Sequence, residues 1–439
     1  MYSKSLFIGG ILNIGMIGLG KLGLPCVLAM EKYTDHKFYG FDISAEIVEK
    51  IKDRKVSYWE EGVNDLLSTT KIEVCDSIDK IVSDCDIIFI AVQTPHDRNF
   101  EGRTPMPAER KNFDYSHLKQ VAEAIETSMK NNENADPLIV VISTVLPGTM
   151  RNEIMPILSS GKKKIRFAYN PYFIAMGTTV WDFLNPEFIL IGADSEKDGQ
   201  TLSNFYHFID ANKVVMQIES AELTKVAYNT FIGFKIVFAN IISEITEKLG
   251  GDPDEVTSAL SAATSRIMSG AYMTSGMGDG GGCHPRDQIA MSWLAQELNL
   301  SSDLFEFLAR ARDSQTSKFA DVIKYYAELE KLPVCILGVA YKANSPLDIG
   351  SPARLLEYYL IEKQLNPKIY DTWVEKDSIM PNTPHVFFVG VRHKEFRDMK
   401  LPLGSLVIDP WGYVENAGNG VRILRVGREL SEITTANTH

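Results

Sequence analysis

The segment Gly18-Leu19-Gly20-Lys21-Leu22-Gly23 constrains this chain more than any other. The apolar run Ile11–Ile17 leads straight into it, and a helical stretch through Met30 follows. Next, KFYGFDIS reads as a second strand ending at Asp42, an acid 19 residues past Gly23. Strand, spaced glycines, helix, strand and acid together make a dinucleotide-binding arrangement. Gly18 makes the tight turn, Gly20 lets the backbone approach a pyrophosphate, and Gly23 lets helix and strand pack closely, with Lys21 and Leu22 inside the same turn. Free N–H groups at the helix start favour phosphate. Asp42 suits ribose hydroxyls and repels a 2′-phosphate, so the expected cofactor is NAD rather than NADP. Two further apolar runs, DIIFIAVQTP (Asp86–Pro95) and LIVVISTVLPGT (Leu138–Thr149), break into polar turns. Ligands collect at the C-terminal ends of such strands, which makes Thr94, Pro95, Ser143 and Thr144 candidate contacts.

A chain of 439 residues exceeds one ordinary core. Glu219–Leu249 reads as one long helix, apolar on nearly every side, and so buried between domains or against a second copy. Lys225 and Asn229 stand one turn apart on it, either as a functional pair or as the polar edge of the helix. From Lys331 onward KLPVCILGVAY, NPKIYD, HVFFVGV and SLVID read as strands of a second α/β unit, with Ala417–His439 as a tail. The fold class is therefore α/β: two Rossmann-like doubly wound domains joined by a long central helix and a helical dimerisation domain. The expected division is 1–213 for NAD binding, 214–315 for the central helical part and 316–439 for the C-terminal Rossmann-like part.

Composition narrows the partners. A net charge of −12 without a Lys/Arg block argues against nucleic acid and anionic membranes. Five scattered cysteines without a CxxC pair suit a reduced, cytoplasmic setting, and no histidine pattern points to a catalytic metal. Lys4 with SLFIGGILNIGMIGLG imitates a signal peptide, but the glycine spacing makes it a leader plus the first buried strand.

GMGDGGGCHPRD (Gly276–Asp287) poses a separate question, because five of its first seven residues are glycine. Such a stretch makes a loop that lets something approach. On the residues alone, Cys283 at its edge is either a nucleophile or a structural thiol.

GLGKLGLP, AVQTP, STVLPGT, YNPYF, AELTKVAYNTF, SRI, GMGDGGGCHPRD and LGVAYK occur in an order that resembles the UDP-glucose/GDP-mannose dehydrogenase family, and HKEFRDM is similar to a later family segment. The resemblance implies a four-electron enzyme, oxidising the C6 alcohol of a nucleotide sugar to a uronate with two NAD⁺ reduced in turn. Alcohol to acid requires two cofactor visits, and a thiol can hold the aldehyde between them. By resemblance Cys283 is that nucleophile. Asp287 acts with Lys225 on protons, Lys225 and Asn229 stabilise the oxyanion, and Thr144 holds a water. The resemblance further implies that Phe173, Lys225, Asn229, Arg266, Tyr272, Gly280 and Lys342 contact the sugar nucleotide, Arg266 across a homodimer. A UDP-sugar is expected in preference to a GDP-sugar.

The chain also departs from the pattern. Where the family reads Asn-Pro-Glu-Phe-Leu-x-Glu-Gly, Tyr172 and Met176 replace both glutamates, and tyrosine is a poor base at neutral pH. Ile349 replaces a cofactor-contacting arginine, and Asp279, His284 and Arg286 alter the cysteine loop. A single-step NAD-dependent oxidoreductase and a non-catalytic nucleotide-sugar binder therefore stay open as alternatives, with Asp287 or His284 as substitute bases.

Overall fold

The computed structural model describes residues 10–95, 111–132, 134–161, 164–249, 251–269, 276–278 and 283–426, so the leader lies outside the described residues. The chain divides into two compact units, Met1–Gly233 and Phe234–His439.

The first unit carries β1 (Asn13–Ile17), β2 (Lys37–Phe41), β3 (Glu73–Val74), β4 (Ile87–Ile90), β5 (Leu138–Val141), β6 (Arg166–Tyr169), β7 (Phe188–Gly192) and β8 (Asn212–Met216). They form one sheet in the order β3-β2-β1-β4-β5-β6-β7-β8, parallel except where β7 meets β6 at Tyr169↔Gly192. The strand order reverses between β1 and β4, the switch point at which such sheets bind ligands. Every residue of β4 and β5 is buried, as a sheet covered on both faces requires. Alternate side chains feed opposite cores: Ile87 and Phe89 one, Ile88 and Ile90 the other.

The second unit carries β9 (Val334–Leu337), β10 (Lys368–Tyr370), β11 (Val386–Val389), β12 (Leu406–Asp409) and β13 (Arg422–Arg425), all parallel, in the order β10-β9-β11-β12-β13. This is the other doubly wound order, with its switch between β9 and β11. Helices Leu304–Glu330 and Pro352–Glu362 cover one face through Phe319, Ile323, Leu356 and Leu360. The two doubly wound sheets expected from the sequence are both present.

One expectation needs correction. The supposed tail contributes β13, whose residues Arg422–Arg425 pair with Leu406–Asp409. It holds only two apolar residues between arginines, too short a pattern for periodicity to reveal. The long helix spans Ile218–Leu249, one residue longer than the expected Glu219–Leu249. Leu223, Phe231, Ile232 and Phe234 are exposed, while Ile241 and Ile245 pack with Ala295 and Phe305.

Candidate active site

The glycine turn between β1 and helix Gly23–Tyr33 is built by exclusion. Gly18 has φ +95°, and a Cβ there would lie 2.8 Å from the Ala91 carbonyl oxygen. A Cβ on Gly23 would come within 2.0 Å of the Gly18 oxygen. Gly20 faces open space, with nothing within 4 Å of a Cβ. The first and third glycines are thus fixed by packing, and the middle one leaves room for a ligand. Helix Gly23–Tyr33 has no side-chain cap and no acid in its first turn, so the positive end of its dipole meets no carboxylate of its own first turn and suits a phosphate. Asp42 accepts the Leu19 N–H and the Ser44 N–H, each at 2.8 Å, and so also holds the turn. These features fit a dinucleotide.

The loops after β4 and β5 are laced together. Ser143 Oγ donates to the Val92 carbonyl at 2.6 Å, and Thr94 Oγ1 donates to the Thr144 carbonyl at 2.8 Å. Pro95 and Thr144 are half-buried beside them.

Lys225 projects from the first turns of helix Ile218–Leu249. Its Nζ donates to the Tyr172 carbonyl at 2.7 Å and lies 4.7 Å from the centre of the Phe173 ring. Burial lowers its pKa from 10.5 to about 8. One turn back, the fully buried Glu222 accepts the Gly148 N–H at 2.6 Å and the Met150 N–H at 2.8 Å. One turn on, Tyr228 donates to Glu187 at 2.9 Å. Asn229, expected to pair with Lys225, is exposed.

Tyr172 faces inward. Its ring meets Phe183 edge-on, its hydroxyl is 2.9 Å from that of Tyr206, and Tyr206 donates to Asn170 Oδ1 at 2.5 Å. Burial pushes the phenol well above its usual pKa, so residue 172 supplies no base at neutral pH. Met176 is exposed.

In the second unit, Lys342 is exposed with Nζ 5.4 Å from the Tyr341 ring, and Ile349 and Arg266 are exposed too. Position 283 opens helix Cys283–Glu297. The side chains of Cys283, Arg286 and Asp287, and all of Tyr272, Asp279 and Gly280, lie outside the described residues. His284 is exposed. Sequence reasoning missed Glu222, although AELTK spaces it three residues from Lys225. It also missed Asp371, which follows β10 as Asp42 follows β2. Asp371 accepts the Val339 and Ala340 N–H groups at 2.7 and 3.0 Å, and its Oδ2 lies 3.4 Å from His393 Nε2. Among the described residues no cluster of His, Cys, Asp and Glu could hold a metal, and no helix is long and apolar enough to cross a membrane.

The sheet order, switch point and glycine turn define a dinucleotide-binding scaffold. The NAD-binding domain of the UDP-glucose/GDP-mannose dehydrogenase family matches residues 12–210, and the central domain of that family matches 219–314. The chain belongs to this family of NAD-dependent nucleotide-sugar dehydrogenases. A GDP-mannose 6-dehydrogenase of Pseudomonas syringae pv. tomato is 29% identical over 442 residues, covering 92% of this chain and 97% of that protein. A UDP-glucose 6-dehydrogenase of Rickettsia conorii is 27% identical over 367 residues, covering 82% and 81%. A GDP-mannose dehydrogenase from Pseudomonas aeruginosa, solved as a ternary complex, superposes with a TM-score of 0.82 at 25% identity, covering 93% of this chain and 99% of that one.

Proposed function

We propose that this chain oxidises the C6 alcohol of a nucleotide-bound sugar to the carboxylate in two successive two-electron steps. The observation that carries the reading is Lys225: a buried amine with a pKa of about 8, aimed by a backbone carbonyl. Such an amine exchanges a proton near neutral pH and stabilises a developing oxyanion. NAD, when bound, supplies the hydride acceptor. The residues proposed to hold it are Gly18, Gly20, Lys21, Leu22, Gly23 and Asp42, with Thr94, Pro95 and Ser143 beyond the turn.

Lys225 takes the alcohol proton as the hydride leaves C6. The Cys283 thiolate then adds to the aldehyde carbon, forming a C–S bond and a thiohemiacetal. A second hydride departure leaves a thioester, and water cleaves the C–S bond to give the carboxylate and return the thiol. Asp287 serves the proton transfers, Thr144 holds the water and Asn229 supports the oxyanion. Phe173, Arg266, Tyr272, Gly280 and Lys342 bind the sugar nucleotide. The exposed Phe231, Ile232 and Phe234 support a homodimer formed through the long helix. Free, buried Cys26, Cys75, Cys85 and Cys335 support a reducing, cytoplasmic setting.

The relatives named for GDP-mannose align over more of the chain than those named for UDP-glucose. This supports a GDP-sugar as first candidate and a UDP-sugar as second, the reverse of the preference drawn from the motifs. A second reading, oxidation that stops after one step, is favoured by the Tyr172 hydroxyl being engaged with that of Tyr206. Mass spectrometry of products from GDP-mannose and UDP-glucose with NAD⁺ separates the two readings. A uronate with two NADH per sugar supports the first, and an aldehyde with one NADH the second.

A further inference from the structure

The start of helix Ile218–Leu249 is stapled to the loops of the sheet by side chains spaced three residues apart. Glu219 binds Arg151 at 2.8 Å. Glu222 accepts two backbone N–H groups of the turn that follows β5. Lys225 reaches the Tyr172 carbonyl after β6. Successive i, i+3 positions share one helical face, so these contacts form a single row. The helix sits close because Gly192, at the end of β7, has no side chain; a Cβ there would lie 2.8 Å from that of Ala221.

Glu222 is the unusual member of the row. Its carboxylate is fully buried, and the two donors that satisfy it come from one turn of backbone. Gly148 sits at φ +87°, and Met150 begins a π-helical turn, Met150–Ile154. Isolated π turns are commonly found at functional sites. Thr144, whose carbonyl is fixed by Thr94, lies in the strand-end segment that leads into this turn.

We propose that Glu222 is a positioning residue: by clamping the turn after β5 to the helix, it fixes the height of Lys225 against the Tyr172 carbonyl. The proposal rests on Lys225 acting in the reaction, as argued above, but it concerns a geometry that can be read without turnover. A carboxylate can accept both N–H groups. An amide keeps one acceptor oxygen and sets its own NH₂ against the other donor. Glu222→Gln therefore loosens the clamp while keeping the shape of the side chain.

The test reads Lys225 directly. The pH dependence of reductive methylation, followed by mass spectrometry of the peptide carrying Lys225, gives the pKa of its amine. Glu222→Gln is expected to raise that pKa by about one unit, as water reaches the amine. With a sugar nucleotide, kcat should fall by about tenfold with KM for NAD within about twofold of wild type, the pattern of a misplaced catalytic group rather than a lost binding one. A folded Glu222→Gln protein with an unchanged Lys225 pKa overturns the proposal, as does unchanged kcat in a protein that turns over. If Glu222→Gln does not fold, Glu222→Asp, one methylene shorter, takes its place with the same expected and contrary results. If wild type oxidises no sugar nucleotide, the functional reading fails, and the methylation profile still decides the role of Glu222.

Discussion

Lys225 donates to the carbonyl of Tyr172, and the side chain of the same tyrosine turns the other way, to the hydroxyl of Tyr206. Residue 172 thus offers the site a backbone oxygen and gives its phenol to the core.

Lys225 should weaken the fold at neutral pH. Its folded pKa is lowered from 10.5 to about 8, so the charged form is disfavoured in the native state. The unfolded chain holds the proton more tightly between those values, and stability from this group rises across that window by about 3 kcal/mol. Lys225→Met is expected to melt at or above the wild-type temperature at pH 7, with the difference shrinking toward pH 10. Its kcat should fall by at least about a thousandfold. Paired melting curves and initial rates check both.

Gly20 and Gly23 should separate binding from folding. Ala at position 23 would collide with the Gly18 carbonyl, whereas Ala at position 20 meets nothing. Gly23→Ala is expected to destabilise the protein by more than about 3 kcal/mol. Gly20→Ala should leave the melting temperature of the free protein unchanged and weaken NAD binding by more than about tenfold, since a methyl group fills the phosphate approach. Calorimetric titration with NAD alongside thermal melts shows whether the two effects part.

The hydroxyls of Tyr172 and Tyr206 should be coupled. Tyr172→Phe removes the outer hydroxyl and is expected to cost about 1 kcal/mol. Tyr206→Phe strands the Asn170 oxygen and should cost about 1–3 kcal/mol. In the double variant the sum should fall short of additivity by at least about 0.5 kcal/mol, measurable by urea unfolding.

Asp371 should govern the acid limit. Burial alone would raise its pKa, but hydrogen bonds from His393 and from the Val339, Ala340 and Trp373 N–H groups outweigh burial and hold the carboxyl well below the usual range. A depressed carboxylate stabilises the fold above its unfolded pKa, and that contribution is lost as pH falls toward its folded value. Asp371→Asn is expected to lower stability at pH 7 by about 3 kcal/mol or more and to flatten the decline below pH 4. Melting temperatures from pH 3 to 7 provide the comparison.

The parts of this molecule that were legible in the sequence are those where one residue type has one physical use. Gly18, Gly23 and Asp42 could be placed because no other side chain fits the turn and because acids end second strands of this kind. Continuous apolar runs revealed β4 and β5, buried on both faces. β13 was hidden because RILR, an edge strand, carries only two apolar residues. Glu222 was hidden because its two partners are backbone groups more than seventy residues away, which no local pattern records. Tyr172 could be recognised as a poor base but not as a core anchor, since Tyr206 and Asn170 give no sign in sequence that they await a hydroxyl.

Counting NADH released per nucleotide sugar, in wild type and in Cys283→Ala, tests the central claim most directly. A thiol that holds the half-oxidised sugar predicts two NADH and a uronate for wild type, and no uronate for Cys283→Ala. A Cys283→Ala protein that still yields two NADH per sugar would contradict the account.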